Sequence, residues 1–280
     1  MKEKNIIWIA SYPKSGNTWI RILLTQYLLK KNEEFHLNNL ITEGIASSRN
    51  IFEEATGLDS SELTQKEIDN LRPDVYRYIS ENTQEPIFMK VHDANIMNSL
   101  DAHLIPEDIT RSVIYIIRNP LDVAVSFAYH SGIDMDKAVA FLCNSEASFC
   151  SSVKLLPIQM HQRILSWNEH VKSWTTDDRL KVHLVRYEDL LADTPGTFEK
   201  ILKSIEQPVD KLRLQKATEN SKFDSIKKIE AKFGFRERSI HSKSFFRKGM
   251  TGDWRNHLTD NHVKRIKEVN GEMMYKYGYL

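Results

Sequence analysis

The chain has 280 residues, of which 41% are hydrophobic and 28% charged, with a formal net charge of +1. That length and apolar content suit one large α/β domain with a sizeable buried core, or at most two small ones. The near-neutral charge argues against a dedicated nucleic-acid binder, which carries a strong basic excess.

Taken from the N-terminus, the apolar run Ile6–Ala10 reads as a buried strand. The loop Tyr12-Pro13-Lys14-Ser15-Gly16-Asn17-Thr18-Trp19 follows it directly. Ile20, Leu23, Leu24, Tyr27 and Leu28 then recur at helical spacing, so strand, tight loop and helix succeed one another, with Asn17 or Thr18 as the helix cap. Free N–H groups and the positive dipole end at such a helix start make an anion site, to which Lys14 adds charge and Ser15 and Thr18 add hydroxyls. A Walker A loop places its lysine after the second glycine; here Lys14 precedes the loop's one glycine, Gly16. Trp19 at the mouth suggests stacking on a nucleobase.

Ile41–Gln84 is poorly patterned. Pro86–Val91 reads as a second buried strand, and Lys90 and His92, two residues apart at its end, point the same way. Alone, a histidine at a strand end is more often structural; beside an anion loop it becomes a candidate general base. Ser112–Ile117 is a third strand, followed by Arg118 and by Asn119-Pro120, a good N-cap and first helical residue. Asp122 and Ser126 share a face of that helix. Ser131–Leu156 is again irregular. Pro157–Thr175 reads as helix, Leu180–Val185 as strand, and Asp193–Glu206 and Thr259–Tyr275 as helices. Strands alternating with helices predict a largely parallel sheet flanked by helices, with ligands at the carboxyl ends of the strands.

Charge is unevenly spread. Leu40–Phe88 carries ten acidic residues against four basic ones, and Lys222–Arg265 twelve basic against five acidic. A basic C-terminal region fits a polyanionic ligand, and the acidic stretch fits either a cationic acceptor or a solvated surface. Cys143 and Cys150 match no zinc or redox spacing and read as buried thiols of a reducing cytoplasm. The apolar run near the N-terminus is far shorter than the roughly 20 residues a membrane span requires. His161, His170, His183, His257 and His262 show no metal-ligand spacing. His130 is a structural residue or a lining residue of an acceptor pocket.

Three segments together give the chain a family likeness: Tyr12–Trp19; Val113–Ser126, ending Ile117-Arg118-Asn119-Pro120; and Phe246-Arg247-Lys248-Gly249-Met250-Thr251-Gly252-Asp253-Trp254. In this order they resemble the cytosolic-type sulfotransferases, which use 3′-phosphoadenosine 5′-phosphosulfate (PAPS), and they cover nearly the whole chain. The resemblance implies a P-loop-like α/β fold, one domain over residues 1–280, and no metal. It implies His92 as general base and Lys14 and Lys90 as catalytic cations. It implies a 5′-phosphosulfate loop of Lys14, Ser15, Gly16, Asn17, Thr18 and Trp19. Arg118, Ser126, Arg247, Lys248 and Gly249 would hold the 3′-phosphate, with Phe246 beside them. Trp19, Tyr187, Ser221 and Phe223 would hold the adenine, Lys222 standing out of pattern between the last two. The animal members' dimerisation pattern after Trp254 is not kept. The compact length and Trp167–Trp174 are similar to bacterial members that tailor natural products.

The acceptor would be a hydroxyl or amine of a small molecule, a polar or cationic bacterial secondary metabolite. Its pocket would come from 41–84, 131–156 and Ser239–Phe245, with Phe52, Tyr76, Phe127, Phe141, Phe149, Glu53, Glu54, Asp134 and Asp136 as lining. Neither nucleic acid nor membrane is an expected partner. Two other classes compete: a metal-dependent nucleotide kinase on a P-loop-like fold, disfavoured by the misplaced lysine, and a non-catalytic nucleotide-binding module, which would not need both His92 and Lys14.

Overall fold

The computed structural model describes residues 4–30, 32–42, 44–83, 85–152 and 155–280. Positions 43, 84 and 153–154 of the two irregular stretches lie outside them. The described strands are β1 (Ile6–Ser11), β2 (Ile87–Val91), β3 (Thr110–Ile117), β4 (Ser148–Phe149), β5 (Gln162–Arg163) and β6 (Val182–Arg186). The helices are α1 (Asn17–Leu28), α2 (Arg49–Thr56), α3 (Gln65–Glu81), α4 (Pro120–Ser131), α5 (Met135–Leu142), α6 (Trp167–Thr175), α7 (Tyr187–Ala192), α8 (Thr194–Ser204), α9 (Lys211–Asn220), α10 (Phe223–Phe233) and α11 (Asp260–Lys276).

Four strands form a parallel sheet in the order β2-β1-β3-β6, as the alternation of strands and helices predicts. Alternate residues of β1 serve two cores. Ile6, Trp8 and Ala10 pack with α3, α4, α6 and α11, whereas Ile7 and Ile9 pack with α1, α8 and α9. With helices on both faces the strands must be apolar throughout, and β1 is buried along its whole length. All four strands therefore end at one edge of the sheet, where Lys14, His92, Arg118 and Tyr187 follow them.

Several local expectations give way to tertiary structure. Neither Asn17 nor Thr18 caps α1. The cap is Gly16, and the Asn17 amide donates to Ile9 O at 2.8 Å and Ser11 Oγ at 3.3 Å, tying the helix to β1. Residues 157–166 are not helical. They run extended through β5, and the helix starts only at Ser166, whose capping box with Glu169 fixes the boundary. The irregular stretches hold α2, α3 and α5, and Thr64 opens α3 with a capping box of its own. Cys143 and Cys150 are half-buried rather than buried. Asn119 caps α4 as expected, accepting from Leu121 N at 3.0 Å.

The end of β2 is held from the core. The Arg72 guanidinium donates two bonds to the Asp93 carboxylate, at 2.8 and 2.9 Å, both side chains being 2% exposed. Trp174 Nε1 donates to Asp93 O at 3.0 Å, and His170 Nε2 to His92 O at 3.0 Å. Tyr115 OH completes the chain by donating to His170 Nδ1 at 2.9 Å. Arg72→Ala leaves a buried carboxylate unpaired and should cost about 3–5 kcal/mol in urea unfolding; a loss under 1 kcal/mol would show that Asp93 finds solvent instead.

Candidate active site

The loop after β1 is shaped by backbone. Lys14 and Gly16 adopt φ of 69° and 110°, and a Cβ on Gly16 would lie 2.7 Å from the Tyr187 ring, so only glycine fits there. No side chain caps α1, which leaves its first N–H groups facing the loop. Ser15 Oγ is buried without a hydrogen-bond partner among the described residues, as are Arg118 Nε and Ser221 Oγ. Buried polar groups are normally satisfied, so Ser15 Oγ on this loop is a donor free to take a ligand oxygen.

Arg118 joins this loop to the C-terminal turn. It donates to Lys14 O at 3.2 Å and Met250 O at 3.0 Å, with its guanidinium 4.2 Å from the Tyr187 ring centroid. The Asp122 carboxylate accepts from Gly252 N at 2.8 Å and Trp254 N at 3.1 Å, pinning that turn to α4. Ser126 lies one turn further along the helix, half-buried. Arg247 and Lys248 each bond Asp253 at 2.6 Å. Burial would raise the Asp253 pKa, but the bonds from Lys248 and Arg247 outweigh it and hold the carboxyl well below the usual range.

On the base side, Trp19 meets Tyr187 edge-on at 5.7 Å and donates to Ser221 O at 3.0 Å. Ser221 and Phe223 both turn inward while Lys222, exposed between them, pairs with Glu219. Phe223 packs so closely under Gly249 that a Cβ there would sit 2.1 Å from its ring, and Phe246 lies 6.5 Å from it.

At the end of β2, His92 Nδ1 lies 2.9 Å from Ser11 O, so Nδ1 carries the proton and Nε2 holds a lone pair. Burial, then the charge of Lys90, push its pKa down to about 3. Lys14 is likewise depressed to about 7, by burial and then by Lys90 and Arg118, with Glu237 and Glu230 opposing. Its ammonium lies 4.2 Å from the Phe245 ring centroid. His130 meets the same ring edge-on at 5.9 Å and is lowered to about 4, by burial and then by Lys14 and Lys90.

These contacts join most of the residues named for the cofactor and the transfer, Ser126 being placed only by its position on α4, whereas the proposed lining lies elsewhere. Phe52 and Tyr76 are core residues, and Phe127, Phe141 and Phe149 stack on one another. Glu53 bonds Ser60, Glu54 is exposed, Asp134 caps α5 and Asp136 pairs with His262. The partners of Glu53, Asp134 and Asp136 thus lie outside the His92 site. Trp167–Trp174 is the buried helix α6. A carboxylate that does reach the site is Glu237, bonded to Arg21 and Lys90, and nothing in its surroundings in sequence marks it.

A family model described as "Sulfotransferase domain" matches residues 4–278. Sulfotransferase 2A6 of Rattus norvegicus is 30% identical over 186 residues, 64% of this chain and 63% of that protein. Flavonol 3-sulfotransferase of Flaveria bidentis is 24% identical over 295 residues, 99% of this chain and 84% of that one. Among solved structures, mouse sulfotransferase SULT7A1 complexed with PAP (adenosine 3′,5′-bisphosphate) superposes with a TM-score of 0.61 at 18% identity, covering 99% of this chain and 87% of that one. The last shares the fold. Among the described residues no group of three or more His, Cys, Asp or Glu is placed to hold a metal ion, and no helix is long and apolar enough to cross a membrane.

The depressed Lys14 makes binding pH-dependent. An anion beside it favours the charged form, so above a free pKa of about 7 each binding event must take up a proton. Affinity for adenosine 3′,5′-bisphosphate should fall by up to about tenfold per pH unit between pH 7.5 and 9. Lys14→Arg, which stays charged, should flatten that slope in calorimetric titrations. An equal slope in both proteins would remove Lys14 from the anion site.

Proposed function

The chain belongs to the sulfotransferase domain family, enzymes that move a sulfuryl group from PAPS to a small-molecule acceptor, and on that footing we propose that His92 is the general base of the transfer and Lys14 and Lys90 its fixed cations. The observation that carries this reading is the meeting of a neutral, tautomer-fixed histidine with two half-buried lysines where the parallel strands end. PAPS, when bound, supplies a sulfuryl group already activated by its anhydride link to phosphate.

The rest is the work of the chain. Ser15, the first turn of α1 and Lys14 face the 5′ anion. Arg118, Ser126 and the Arg247–Gly249 turn face the 3′-phosphate, and Asp253 keeps Arg247 and Lys248 in place. Arg is suited to this by its planar fork of donors. Trp19, Tyr187, Ser221 and Phe223 border the adenine. His92 Nε2 accepts the proton of the acceptor hydroxyl or amine, and Ser11 O, on the opposite nitrogen, supports the imidazolium that results. Lys14 and Lys90 offset negative charge developing beside them, in a setting with little water to screen it. The acceptor is a small molecule entering beside His130 and Phe245, and the contacts of Phe245 with His130 and Lys14 support this.

Histidine must be neutral to act as a base, and a pKa lowered to about 3 keeps it so well into acid. Lysine must be charged, and Lys14 loses its proton near 7. The kcat/KM profile should therefore stay level from pH 7 down to about 5 and fall as pH rises above about 7; an acid limb near 6.5 would point to another base. His92→Ala should lower kcat by about 10²–10⁴-fold while leaving affinity for the bisphosphate unchanged. Arg118→Ala should instead weaken that affinity by about tenfold or more, from loss of charged hydrogen bonds worth ~1.5–3 kcal/mol. The overall reading is tested by calorimetry of the bisphosphate against ATP without added metal, since preference for Mg²⁺-ATP would replace it with a kinase.

A further inference from the structure

We infer that Glu237 is a positioning residue of the sulfuryl site: its carboxylate, fixed by Arg21, holds the Lys90 ammonium charged and in place. This rests on the reading of Lys90 as a cation for the transferred group. Three elements meet here. Lys90 closes β2, Arg21 lies on α1, and Glu237 belongs to the segment between α10 and the Arg247–Gly249 turn. One carboxylate oxygen accepts from Arg21 Nη1 at 2.8 Å and the other from Lys90 Nζ at 3.0 Å. The side chains of Arg21, Lys90 and Glu237 are 2%, 14% and 21% exposed, so solvent screens the cluster weakly. Arg21 also donates to Thr42 Oγ1 at 3.2 Å, which fixes its fork and so the direction of the carboxylate.

The charge balance around Lys90 shows what Glu237 does. Among the described residues, the titratable groups facing the ammonium are Lys14, Arg21, His92, His130, Arg236 and Glu237. Three are cations when protonated and the two histidines are neutral, which leaves Glu237 as the one negative group among them. Burial lowers the Lys90 pKa, and Glu237 is the first influence raising it. Glu237 itself is pushed up by burial, but Lys90 and Arg21 outweigh that and bring it to about 2, so it stays ionised wherever the enzyme works. The two lysines are thus made different. Lys14 faces the Phe245 ring and has no carboxylate bonded to it, whereas Lys90 has its own counter-ion.

The test follows the Lys90 13Cε resonance against pH in the ligand-free protein, the signal being assigned by its absence in Lys90→Met. Glu237→Gln should lower the titration midpoint of Lys90 by about one to three pH units. Glu237→Asp, which keeps the charge one methylene further back, should lower it less. In kinetics at pH 7.5, Glu237→Gln should reduce kcat, and the same substitution should cost far less in a Lys90→Arg background, where the charge needs no support. An unchanged Lys90 midpoint in either folded variant overturns the inference. Should Glu237→Gln fail to fold because Arg21 is left buried and unpaired, Glu237→Asp still gives the decisive midpoint. Failure of the wild-type protein to bind adenosine 3′,5′-bisphosphate would be a separate result, overturning the sulfotransferase reading and leaving the Lys90 midpoint to judge Glu237.

Discussion

The backbone ladder that β1 makes with β2 on one side and β3 on the other is the constraint everything else depends on. Because all three strands run parallel, Ala10 lies beside Val91 and Tyr115, and the residues that follow each strand emerge at the same height. Lys14, His92 and Arg118 are separated by dozens of residues in the chain and share one crevice for that reason alone. An antiparallel neighbour would send one of them to the far end of the sheet. The site is a property of strand direction before it is a property of any side chain.

Bringing cations together carries a cost, and the fold meets it with a small number of carboxylates. Asp253 takes Arg247 and Lys248, Glu237 takes Arg21 and Lys90, and Asp122 accepts from the backbone of the C-terminal turn. Among the described residues Lys14 has no bonded carboxylate, and burial, then the charges of Lys90 and Arg118, bring its pKa toward neutrality. A site that must accept a polyanion is better served by one under-compensated cation than by a fully neutralised cluster, since the ligand then supplies the missing charge.

Much of this was legible in the sequence, for identifiable reasons. The strands are short β-branched runs buried on both sides, and they read clearly. The loop after β1, Arg118 with the Asn119-Pro120 start, and the Arg247–Gly249 turn are local patterns whose chemistry travels with their spacing. What failed was whatever depended on a distant partner. Asn17 looks like a cap but bonds β1 instead; residues 157–166 have apolar content without helical satisfaction of their backbone. Glu53, Asp134 and Asp136 were read as pocket lining from composition, although each has a partner outside the site. Glu237 was invisible because its two partners lie 147 and 216 residues away in the chain.

The manner in which His92 is mounted has a consequence for how such an enzyme diversifies. Its main chain hangs from His170, and the next residue from Trp174 and Arg72, all fully buried groups of α6 and α3. Among the described residues, none of these hydrogen bonds comes from 131–152, 155–156 or 239–245. On the proposed reading of His92 as the base, changes in those segments leave its mounting intact. On the same reading, substitutions in the interior of α6 would by contrast act as catalytic lesions.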